Sequence, residues 1–117
     1  MKTNRKRVVI TGMGILSSLA DNIDGFKQAL LNKTCGVTDS KRFSQWFDNA
    51  RAAEVLHDID YSDIPADIVD SLDNAALWAY KVSKDALIQA GLNNNKDRLT
   101  ETGMIVGVSS AGTEAFL

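Results

Sequence analysis

Arg7-Val8-Val9-Ile10-Thr11-Gly12-Met13-Gly14-Ile15-Leu16-Ser17 is the stretch on which the fold turns. Val8, Val9 and Ile10 are consecutive β-branched residues. A strand with one wet face alternates apolar and polar, whereas an unbroken run suits a strand covered on both faces, as in a parallel α/β sheet. Gly12 and Gly14 end the run, and glycine there permits a turn or the close approach of two backbones. The basic run 2–7 ahead of it can stay in water. A Gly-x-Gly after a strand also opens the dinucleotide-binding fingerprint, whose third glycine or alanine should fall three positions after Gly14 and open a helix. Ser17 holds that position, the helix signal comes only near Asn22, and no clear second strand delivers a ribose-binding acid. A buried strand with a glycine turn is the better account.

Working outward, Asn22 is a fair N-cap, with Asp21 and Asp24 near the positive end of the helix dipole. Ile23, Phe26 and Leu30 recur at helical spacing, which predicts a helix over 23–32 that Gly36 closes as a turn residue. Residues 37–71 are irregular. Within them Phe43, Trp46 and Phe47 are expected to fasten a long loop to the core. Arg51-Ala52-Ala53-Glu54-Val55 is a short strand candidate, and Pro65 disfavours helix at Ile64. A long helix is predicted over 72–90, capped by Asp70 or Ser71. Its expected inner stripe is Leu72, Ala76, Ala79, Tyr80, Ser83, Ala86, Leu87 and Ala90, small enough to lie close to a sheet, with Gly91 as its C′ residue. Asn93 to Arg98 read as a polar loop. Residues 103–108 form a second buried-type strand, and Ser109-Ser110-Ala111-Gly112 a small-residue turn. Strand, helix, excursion, helix, strand gives an α/β chain with parallel pairing.

The chain has 117 residues, 44% of them hydrophobic, and a net charge of −2. It suits one domain or part of one. Bulk charge suggests no nucleic-acid or membrane partner, and no apolar run nears the ~20 residues of a membrane span. Residues 1–20 fit a signal peptide poorly. The single cysteine, Cys35, forms no internal disulfide and fits a reducing, cytoplasmic setting.

Catalytic sets are missing. His57 has no neighbouring Cys, and one Cys with one His builds no structural zinc site. Six aspartates, at 58, 60, 63, 67, 70 and 73, lack the order of a calcium loop and read as a solvated acidic face. Ser109 and Ser110 follow a strand without completing a Gly-x-Ser-x-Gly elbow. No cofactor or metal is expected.

Several stretches, in order, resemble the β-ketoacyl-acyl carrier protein synthases, the elongating condensing enzymes of the thiolase fold. The opening strand is similar to theirs. Phe26-Lys27-Gln28-Ala29-Leu30-Leu31 through Gly36-Val37 resembles their first helix and turn. Arg51 to Val55 resembles a short Ala-Gly-Glu-Val segment. Leu72 through Ala90-Gly91-Leu92 resembles their long helix, and Thr102 to Gly107 the strand after it. The resemblance implies the N-terminal portion of a thiolase-like layered fold, with buried parallel-type strands and covering helices. The implied activity of the whole enzyme is decarboxylative condensation of acyl and malonyl thioesters, in fatty acid or polyketide-type synthesis. The family's nucleophilic cysteine, two histidines and lysine lie beyond this chain, so no catalytic residue is expected within it and the chain alone is expected to be inactive. Ser109, Ser110, Ala111 and Gly112 stand where the family has a glycine-rich turn near the acyl pocket. Implied partners are an acyl carrier protein and, for the full-length protein, a second subunit in a homodimer or heterodimer. Where the family often carries Lys or Arg toward that acidic carrier, this chain has Asp63, Asp67, Asp70 and Asp73; like charges repel, which argues against docking there. Two alternatives remain from the residues: a non-catalytic, chain-length-factor type of partner subunit, and a dinucleotide-binding domain.

Overall fold

A computed structural model of the chain describes residues 6–55 and 58–109. In chain order the elements are helix α1 (Ile23–Leu31), strands β1 (Thr38–Asp39) and β2 (Arg51–Ala52), and helices α2 (Ala66–Ser71), α3 (Asn74–Gln89) and α4 (Lys96–Thr100). The chain is thus mixed α and β, but its sheet differs from the expected one. The one ladder among the described residues is β1 with β2, antiparallel, pairing Thr38 with Ala52 and Asp39 with Arg51. Antiparallel strands need only a short loop between them, whereas parallel ones need a longer crossover. Arg51 Nε also lies 3.4 Å from Asp39 Oδ1, an exposed pair that adds little stability.

The loop closing this hairpin hangs on Ser40, which is buried. Its amide donates to Ala50 O (2.9 Å), and its hydroxyl donates to Glu54 Oε1 (3.0 Å) while accepting from the Phe43 amide (3.3 Å). The aromatic residues do not fasten the loop: Phe43, Trp46 and Phe47 are all exposed, Trp46 by 64%. The polar centre at Ser40 organises the loop in their place.

The helices begin and end by local chemistry. Asn22 caps α1, accepting from the Gly25 amide at 2.8 Å. The cap of α3 is Asp73, accepting from the Ala76 amide at 2.7 Å, rather than Asp70 or Ser71. Ser71 instead ends α2, its hydroxyl donating to Ile68 O. The rule that bars helix before Pro65 also favours helix after it, because proline's fixed φ and missing N–H suit a helix start; α2 follows directly. Asn95 caps the unexpected α4 through the Arg98 amide.

Two helix ends close in the same way. Gly91, at φ +67, donates to Ile88 O (3.0 Å), and the Leu92 amide donates to Leu87 O (2.9 Å). That is a Schellman closure of α3. At α1 the equivalent left-handed residue is Lys33, φ 56, and not Gly36. Gly91→Ala is expected to lower amide-exchange protection at Gly91 and Leu92 by roughly fivefold, the scale of ~1 kcal/mol for a side chain forced to positive φ. Unchanged protection there would refute this account of the helix end.

The core is small. Among the described residues the buried apolar ones are Ala20, Ile64 and Leu77. Half of the expected inner stripe of α3 faces solvent: Leu72, Ala76, Ala79 and Tyr80 are exposed, while Leu77 is the helix's buried residue. The strands expected over 7–12 and 103–108 are not formed here. Residues 8–10 and 104–108 lie outside the ladder, with Val8 92% and Ile105 100% exposed. A strand buried on both faces needs neighbours in the sheet and helices above and below, and among the described residues no strand pairs with these runs and α3 lies beside their ends only. The Cα radius of gyration is 18.0 Å, against roughly 13 Å for a compact domain of this length.

Candidate functional site

Gly12 and Gly14 are spent on helix contact. A Cβ on Gly12 would strike the carbonyl oxygen of Ala86, and one on Gly14 that of Val82, both on α3. Only glycine lets the backbone lie this close to a helix. The small residues Ala86 and Ala90 are the matching surface, and the Met13 amide donates to Gln89 Oε1 at 2.6 Å. Ser17 is spent on a turn: its hydroxyl accepts from the amides of Leu19 and Ala20, and α1 starts only at Ile23. In the dinucleotide fingerprint these glycines face a pyrophosphate at a helix N-terminus. Here they face the flank of α3, which removes the basis for that alternative.

The same helix joins the two apolar runs. Thr11 and Gly12, at the end of the first, and Gly103 and Met104, at the start of the second, border a cavity of about 450 Å³ whose floor includes Ala86 and Leu87. Ser109 stands at the other end of the second run, exposed, and is not among the cavity's lining residues. Ser110, Ala111 and Gly112 lie outside the described residues. Of the four turn residues singled out in the sequence, the structure therefore places only Ser109.

A second, more polar cavity, about 430 Å³, lies between residues 13–15, the start of α1, and Lys81 and Asp85 of α3. Lys81 Nζ pairs with Asp85 Oδ1 at 2.9 Å. Partial burial pulls the Lys81 ammonium down, but the Asp85 hydrogen bond and charge, with Asp63 and Asp60 behind them, outweigh it and hold its pKa above the ordinary value. A raised lysine pKa contributes stability that is complete below the unfolded value and is lost only as pH climbs through the folded one, far above neutrality.

The acidic run is only partly a solvated face. Asp63 pairs with Lys84 (3.1 Å), Asp73 caps α3, and Asp60 accepts from the Ser62 amide (2.8 Å), which lowers its pKa. Asp58, Asp67 and Asp70 remain exposed. The run thus serves turns and helix ends, a role visible in the sequence only through the Ser and Pro residues interleaved with it. Cys35 is exposed, its Sγ 4.0 Å from Val37 O. His57 falls outside the described residues. Among the described residues no three His, Cys, Asp or Glu side chains converge as a metal site, and no helix is long and apolar enough to cross a membrane.

Comparison with known proteins bears on the whole length. Residues 5–117 match the family model of the β-ketoacyl synthase N-terminal domain. The chain is 32% identical to the 3-oxoacyl-(acyl-carrier-protein) synthase 2 of Coxiella burnetii, over 92% of this chain and 26% of that protein. It is 30% identical to the chloroplastic 3-oxoacyl-(acyl-carrier-protein) synthase I of Hordeum vulgare, over 96% and 26%. To the synthase 2 of Vibrio harveyi it is 23% identical, over 95% and 27%. The chain therefore spans about a quarter of the length of these relatives. No solved structure matches it. With a family model covering residues 5–117, the chain belongs to the β-ketoacyl synthase family, as its N-terminal domain.

Proposed function

We propose that this chain is the N-terminal part of a β-ketoacyl-acyl carrier protein synthase, cytoplasmic and dimeric when full length. That enzyme would condense an acyl thioester with a malonyl-carrier thioester, releasing carbon dioxide. The observation that carries the proposal is the end-to-end family match, joined by relatives that are all named 3-oxoacyl-(acyl-carrier-protein) synthases. In such chemistry a thiolate takes the acyl group from its thioester and releases the donor thiol; the carbanion left by loss of carbon dioxide then attacks the acyl carbonyl and expels the thiolate. Within this chain the role is architectural: runs 8–10 and 104–108 serve as strands of a layered parallel sheet, with α3 as a covering helix. Their unbroken apolar character supports that assignment, as does the glycine-mediated seat of residues 12–14 on α3.

The turn at Ser109, Ser110, Ala111 and Gly112 is proposed to border the acyl pocket, since ligands of open α/β sheets gather beyond the carboxyl ends of the strands. Ala111→Phe in the full-length enzyme is expected to shorten the acyl chains accepted while leaving its thermal midpoint nearly unchanged. Unaltered chain-length preference in a folded variant would overturn this placement. Sequencing the coding region that follows Leu117 tests the larger proposal. A cysteine at a predicted helix start within the next ~60 residues is expected, because a helix N-terminus favours the thiolate; its absence would favour a non-catalytic partner subunit.

A further inference from the structure

We draw no further inference here: the strongest candidate, the polar cavity of about 430 Å³ between residues 13–15, the start of α1, and Lys81 and Asp85 of α3, carries nothing because Lys81 and Asp85 already satisfy each other and, among the described residues, no buried polar side chain is left without a partner that would point a ligand to it.

Discussion

No condensation product is expected when the purified 117-residue chain is given acyl and malonyl thioesters. Ketosynthase chemistry, on the function proposed here, needs a thiolate nucleophile. The chain's one cysteine does not have the setting for that role: Cys35 is exposed on the turn that follows α1, beyond the electronegative end of the helix. A thiolate is best supported at a helix N-terminus or beside a Lys, Arg or protonated His side chain. The one histidine is His57, and a second catalytic histidine has no candidate in the sequence. Removing a nucleophile from an enzyme that uses covalent catalysis costs on the order of 10⁶-fold, so the expected result is product at the uncatalysed rate. Chain-dependent product above that background would defeat the proposal. The companion measurement is Cys35→Ser in the full-length protein, where turnover should stay within about twofold, as for an exposed residue outside the chemistry. A large loss there would move the nucleophile to Cys35.

Heating the isolated chain is expected to give a broad unfolding profile without a sharp calorimetric peak. Cooperativity comes from a shared core, and among the described residues the buried apolar ones are three: Ala20, Ile64 and Leu77. Three residues are too few to bind the helices into one cooperative unit. Helices α1, α3 and α4 have their own side-chain caps, and α1 and α3 each close with a left-handed residue; local signals of this kind hold helices partly formed without binding them into one unit. An ordinary domain absorbs roughly 0.7 kcal/mol per residue on melting near 60 °C. The expected excess enthalpy for this chain is well below that, with circular dichroism falling gradually over the same range. A single sharp transition carrying the full enthalpy, with calorimetric and van't Hoff values equal, would show that residues 8–10 and 104–108 are buried after all.

Helix chemistry was legible in the sequence because it is local. Asn22 capping α1, helix 23–32 realised as Ile23–Leu31, helix 72–90 realised as Asn74–Gln89, and Gly91 closing the latter all follow from side chains within a few residues of the backbone groups they satisfy. The family was legible too, because the order of the motifs needs no geometry. What the sequence determined by itself is therefore which residues form the long helices, and that the apolar runs 8–10 and 104–108 need cover; the strands expected there are not formed. Only the tertiary structure decided what those runs touch. It set Gly12 and Gly14 against α3 rather than open to a ligand, paired β1 with β2 antiparallel, turned Trp46 and Phe47 outward, and left Ile105 wholly exposed. The physical reason is that an apolar run states only that cover is required. Whether cover comes depends on which distant segments are present to supply it, and hydrophobic attraction has no direction that could specify them in advance.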